Sequence, residues 1–242
     1  MIGQASMTEF PEQLLHGDID EVLPDVFYVK GQIKIPTPDT VVSLTRSMVI
    51  VRSGSDLTIV NSLRMSEEGL QALDRLGDVK SIVRIGGNHG RDDAFYSHLY
   101  KAPVWMPEGV SLSRPVVKQK VLEVGDHGPI PDATVFLFET TKSPEAVLCL
   151  HRHGGILLTA DSFHHMEKPD EYVDEHSAPL LLDAGFFRPA NIGPVWRKRE
   201  QPALRDYERL LELPFSHLLP GHGEPLLEDA KTILSNSVRE LF

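Results

Sequence analysis

The 242-residue sequence predicts a mixed α/β protein in which β-sheets are covered by helices. Three observations lead there. Short apolar runs rich in Val and Ile recur between turn signals. A smaller number of segments carry apolar residues at helical spacing. The two kinds alternate as strands, helix, strand, helix, further strands, then helix, strand, helix.

Taken in order, the strand candidates are Val26–Val29, Val41–Val51, Leu57–Val60, Ser81–Ile85, Val116–Val124, Thr134–Glu139, Ala146–Leu150, Ile156–Thr159 and Ser216–Leu219. Gly54-Ser55 and Gly154-Gly155 read as hairpin turns between paired runs. The first helix is expected over Ser66–Leu76, with Ser66 as cap, Leu70, Leu73 and Leu76 on one face, and Gly77 as the stop. Asp92–Tyr100, Pro202–Leu213 and Leu227–Leu241 are the other helical patterns. Repeats, low-complexity tracts and linkers are absent from the sequence, so residues 1–242 read as one domain, with 1–23 as an N-terminal extension. The segment Ser162 to Trp196 breaks the regularity with several prolines and glycines. It reads as an irregular loop or lid, or as a loop packed on the core. Its apolar patches Leu180-Leu181-Leu182 and Phe186-Phe187 suggest a self-association surface and hence a homodimer.

Composition narrows the classes. The formal net charge is -11 and the hydrophobic share 41%. Such a chain can bury a core, and its surface repels phosphate backbones, so nucleic acid is not the expected partner. The cluster Arg197-Lys198-Arg199 is flanked by acids and reads as a solvated helix start. The single cysteine, Cys149, lies inside an apolar run. It reads as a core residue and fits a reducing compartment, the cytoplasm. The N-terminus has no signal-peptide pattern, and no apolar stretch is long enough to span a membrane. A small molecule is the expected partner.

Three strand candidates end alike. Ser81–Ile85 runs into Gly86-Gly87-Asn88-His89-Gly90, Gly155–Ala160 into Asp161, and Phe215–Leu219 into Pro220-Gly221-His222-Gly223. Each delivers a His or Asp at a strand's carboxyl end, where ligand groups collect in layered α/β sheets. Two imidazoles and a carboxylate form a competent set for zinc, and a 2-His-1-carboxylate face suits ferrous iron. There is no G-x-S-x-G elbow, P-loop or G-x-G-x-x-G, which removes the serine-hydrolase and nucleotide readings.

These motifs resemble the metallo-β-lactamase fold superfamily over about Val26 to Leu241. Val26–Lys30 resembles its first strand, and Met48–Asn61 the following hairpin, with Asn61-Ser62-Leu63 where an Asp-Thr-Gly turn is usual. Ala94–Gly109 resembles the helix and strand after the main motif. Leu157–Asp161 is similar to its strand and Gly-Asp motif, with Ala160 for the glycine. Leu218-Leu219-Pro220-Gly221-His222-Gly223 is similar to its last histidine motif. The resemblance implies a four-layer αββα sandwich. Aligned on the main motif His-x-His-x-Asp-His, the chain has Arg84, Gly86, Asn88 and His89 in turn, and Lys142 where the third-motif histidine falls. The residues of the first metal are thus replaced, while His89, Asp161 and His222 of the second are kept. A shifted register, with His89 as the first histidine, brings Asp93 in instead.

Two functions follow from the resemblance. One is a hydrolase with at most one metal, acting on an ester, thioester or lactone. Its ion is zinc or iron, with manganese a poorer match, held by His89, Asp161 and His222. Lys142 or Arg84 then holds a carboxylate or phosphate of the substrate, and these two with Asp161 are the catalytic candidates. Asn88 adds an amide oxygen or a supporting hydrogen bond, and His164 and His165 either reach the same pocket or form an exposed loop pair. The other function is a catalytically silent binding or structural protein without metal, in which Arg84 or Lys142 balances the charge of Asp161. His16, His98, His127, His176 and His217 have no supporting context and are assigned no role.

Overall fold

A computed structural model describes residues 10–125 and 128–242. Residues 1–9 of the expected extension, and His127, lie outside the described residues. The first sheet follows chain order through seven strands: β1 (Asp20–Leu23), β2 (Val26–Pro36), β3 (Val41–Ser53), β4 (Asp56–Val60), β5 (Asp78–Val83), β6 (Val104–Met106) and β7 (Gln119–Val121). Pairing is antiparallel through β4 and parallel from β4 to β7. A second sheet has the order β13 (His217–Leu219), β10 (Ile156–Leu158), β9 (Ala146–Leu150), β8 (Ala133–Leu137), with β10 and β13 parallel. A short ribbon pairs β11 (His164–Met166) with β12 (Arg188–Asn191).

Period-two alternation separates the layers. On β2 and β3, Val26, Tyr28, Val49 and Val51 face Leu148, Leu150, Ile156 and Leu158 of the second sheet. Their neighbours Phe27, Val29, Met48 and Ile50 face outward, onto Leu73 of α1 (Glu67–Leu76) and Phe95 and Tyr96 of α2 (Asp93–Tyr100). The second sheet repeats the pattern. Val147, Cys149 and Leu157 pack on Trp196 of α4 (Pro194–Glu200), Tyr207 and Leu210 of α5 (Leu204–Leu210), and Leu234 and Val238 of α6 (Ala230–Leu241). The result is helix, sheet, sheet, helix, as expected. Asn61 stitches the sheets together. Its backbone is left-handed (φ 57°), and its amide donates to the Thr159 carbonyl across the interface at 3.1 Å.

Most predicted elements stand, and Ser66 caps α1 by accepting from Gly69 N. Four features differ. Part of the extension, Asp20–Leu23, is a strand, added to the sheet edge by pairing with β2. The stretch 162–196 is not irregular throughout: it contains β11, α3 (Ser177–Asp183), β12 and the start of α4. It docks on β3, where Ser43 N donates to Ser177 Oγ at 2.8 Å and Thr45 Oγ1 to Asp170 Oδ1 at 2.5 Å. Its apolar patches are split, because helical geometry turns Leu181 and Phe186 into a core cluster and leaves Leu180 and Leu182 exposed. Arg197-Lys198-Arg199 forms the last turn of α4 rather than a helix start, where cations complement the helix dipole. Among the described residues, no helix is long and apolar enough to cross a membrane.

Leu157, at the centre of β10, is fully buried, while Leu182 is 66% exposed. Leu157→Ala is expected to lower unfolding free energy in urea by about 2–5 kcal/mol. Leu182→Ala should stay within about 0.5 kcal/mol.

Candidate metal centre

The centre is assembled from the carboxyl ends of three strands. β5 leads through Gly86-Gly87-Asn88 to His89, β10 through Thr159-Ala160 to Asp161, and β13 through Pro220-Gly221 to His222. Because β10 and β13 are parallel neighbours, Asp161 and His222 emerge side by side. One ligand atom from each of His89, Asp161 and His222 lies within 4.8 Å of the other two, and all three residues are buried.

The His222 loop is held from several sides. Tyr28 Oη donates to the carbonyls of Pro220 at 2.8 Å and Gly223 at 2.9 Å. Ser47 N donates to Gly221 O, and His165 N to His222 O. Gly221 is needed there, since a Cβ would lie 2.7 Å from the His89 ring. The imidazole itself is fixed by Nδ1, 2.6 Å from the Thr45 carbonyl oxygen. A carbonyl only accepts, so Nδ1 carries the proton. In the neutral ring Nε2 is then a bare acceptor, and it faces Asp161 Oδ1 at 3.1 Å. Two acceptors in that position require a cation or a proton between them.

Asp161 is the hub. His89 Nε2 lies 3.4 Å and His164 Nε2 3.5 Å from the same Oδ1. Asn88 Nδ2 donates to Oδ2 at 2.9 Å. Burial opposes the charge of Asp161, but its imidazole neighbours outweigh that and hold the carboxyl well below the usual range. Burial pushes His89 and His164 down to about 4, so both rings are neutral at pH 7, the form that ligates metals. Beneath them Glu145 Oε1 accepts from Asp161 N at 3.1 Å and Ser162 N at 3.3 Å. Burial and the nearby Asp161 push the Glu145 carboxyl well above its usual range.

The remaining sequence candidates fall elsewhere. Arg84 does not balance Asp161. Its guanidinium folds back onto the carbonyls of Gly86, Gly87 and Ser111, beside Gly90. Asp93 accepts from Ser62 Oγ at 2.6 Å at the start of α2 and is outside the centre. Lys142 is exposed and lines an adjoining cavity with Asn88, Ser143 and Glu145. Asn88 serves through its amide nitrogen, a supporting bond to Asp161, rather than through its oxygen. The two neighbouring histidines part company, as strand alternation demands. His164 enters the centre with 2% exposure, while His165 turns out and accepts from Ala190 N.

Sequence reasoning missed Arg46 and Glu145. Arg46 is buried on β3 and donates to the carbonyls of Ser62 and His89, fixing the His89 loop from below. A charge inside the apolar run Val41–Val51 was the available signal. Glu145 abuts an apolar strand and carries no motif at all.

The centre opens into a cleft of about 520 Å³. Ile33, Val42, Leu44, Leu181, Phe186 and Trp196 form apolar walls, and Lys34 and Arg199 stand at the exposed rim.

No family model matches the chain, and no curated protein matches it. Solved structures do. FIM-1 from Pseudomonas aeruginosa, a metallo-β-lactamase in its mono-zinc form, superposes with a TM-score of 0.62 at 8% identity, covering 96% of this chain and 98% of that one. A metallo-β-lactamase from Hirschia baltica gives 0.59 at 12% identity, over 94% and 97% of the two chains. VMB-1 gives 0.61 at 12% identity, over 95% and 96%. The fold of this chain is therefore that of the metallo-β-lactamases.

Glu145→Leu leaves two buried N–H groups without an acceptor and is expected to cost about 2–5 kcal/mol in urea unfolding. Glu145→Gln keeps an amide oxygen for the same bonds and should stay within about 1 kcal/mol of the parent chain.

Proposed function

We propose that this protein is a metal-dependent hydrolase that uses one divalent ion, held by His89, Asp161 and His222, and cleaves an ester, thioester or lactone bond in a small molecule. The observation that carries the reading is the His222 ring. Its Nδ1 donates to the Thr45 carbonyl, so in the neutral ring Nε2 is a bare acceptor that faces a carboxylate oxygen. A cation resolves that contact. The donor set suits zinc first and iron second, with manganese behind them. The mono-zinc form of FIM-1 supports zinc by likeness of fold.

When bound, such an ion supplies Lewis-acid polarisation of a carbonyl and a nucleophile at neutral pH. The protein supplies the rest. Asn88 holds one oxygen of Asp161 and so orients the other toward the imidazoles. The apolar cleft walls receive the acyl part of a substrate and exclude bulk water around the reacting bond. Lys142, in the adjoining cavity, is placed to meet an anionic leaving group.

A binding protein on the same scaffold is the second reading. It draws on positions 84, 86 and 142, where arginine, glycine and lysine stand in place of the histidines of a first metal.

The test is a panel of small nitrophenyl esters, thioesters and lactones. Turnover should vanish after exhaustive chelation, return with zinc, and fall at least about 100-fold in Asp161→Ala. Turnover that survives metal removal contradicts the hydrolase reading, and no turnover in the zinc-loaded protein favours the binding reading.

A further inference from the structure

We infer that His164 is a fourth protein ligand of the same ion, which makes the set three imidazoles and one carboxylate. This rests on the single-metal reading above and deepens it.

Unmet bonds and convergent side chains mark this ring. His164 is 2% exposed, and among the described residues neither of its ring nitrogens has a hydrogen-bond partner. A buried imidazole with both nitrogens idle is costly in either tautomer, because one is an unsatisfied donor and the other an unsatisfied acceptor. Its Nε2 is nevertheless well placed. It lies 3.5 Å from Asp161 Oδ1, the atom on which His89 Nε2 and His222 Nε2 also converge, at 3.4 and 3.1 Å. One carboxylate oxygen cannot satisfy three nitrogens, and with Nδ1 donating to Thr45 the neutral His222 ring has no proton on Nε2 to give it. A cation held by His89, Asp161 and His222, with the His164 ring brought onto it, gives each of these nitrogens a partner.

The ring is also held in place. It lies against Phe186 at 5.7 Å between centroids and against His222 at 4.4 Å. Gly193 packs so closely that a Cβ there would meet His164 Nε2 at 2.8 Å. β11, which carries His164, pairs with β12 on one edge, and His165 bridges to Gly223 of the His222 loop. The same bridge that positions His222 thus positions His164.

The consequence concerns coordination number. Three protein donors leave a tetrahedral ion one open position, and four close it. Water or a substrate would then bind as an added ligand or displace one, and His164 is the donor carried on the 162–196 stretch itself.

The test uses cobalt(II), whose visible absorption reports its ligands, in the full-length protein with His164→Gly, His164→Gln and His165→Gln, each checked for folding by circular dichroism. The parent chain and His165→Gln should share one spectrum. Both His164 variants should shift it and bind zinc at least about 100-fold more weakly in chelator competition. Added imidazole should restore the parent spectrum in His164→Gly alone. Unchanged spectra and affinities in both His164 variants overturn this inference and leave the single-metal reading standing. Failure of the parent chain to take up cobalt overturns both.

Discussion

The contact between the Thr45 carbonyl and His222 Nδ1 fixes more of this molecule's chemistry than any other interaction. It decides which nitrogen of the ring carries the proton, and so leaves an acceptor pointed at the oxygen of a buried carboxylate. Everything around it holds that arrangement in place. β2 and β3 supply Tyr28 and Ser47 to tether the loop, and β11 clamps it from the other side. The carboxylate cannot retreat, because Glu145 grips the backbone at Asp161 and Ser162 while Asn88 grips the second oxygen.

The two-sheet architecture is what brings these groups together. Asp161 and His222 are far apart in sequence but leave adjacent parallel strands, while His89 arrives from the facing sheet. The Asn61 bond to Thr159 ties one sheet to the other close to the residue that supplies the carboxylate. The buried Arg46 holds the His89 loop through its carbonyl, with Asp92, Asp93 and Asp161 as the opposing charges around it. The interior around the candidate metal centre is therefore a polar network with several unpartnered atoms, among them two nitrogens of Arg46, His89 Nδ1 and both ring nitrogens of His164.

Much of this was legible in the sequence because the informative residues sit where periodicity ends. Strand runs followed by glycine and a His or Asp locate His89, Asp161 and His222 without tertiary information. The layers were legible too, since β2, β3 and β9 alternate between two cores. What stayed hidden depends on direction in space. Arg84 stands where alignment puts a ligand, but its guanidinium finds three carbonyls nearby and turns to them. His164 and His165 are adjacent letters that only strand pairing sends to opposite sides. Glu145 acts through backbone amides sixteen and seventeen residues away, a link that no local pattern encodes.

The chemistry of this site turns on whether a cation belongs between His222 and Asp161. The most direct measurement is metal content by plasma mass spectrometry on tag-free protein, alongside Asp161→Ala and His222→Ala. One zinc, iron or manganese per chain in the parent protein, lost in both variants, is the result the geometry predicts. A parent chain that stays metal-free after reconstitution, with its fold intact, would contradict it and leave a proton in the cation's place.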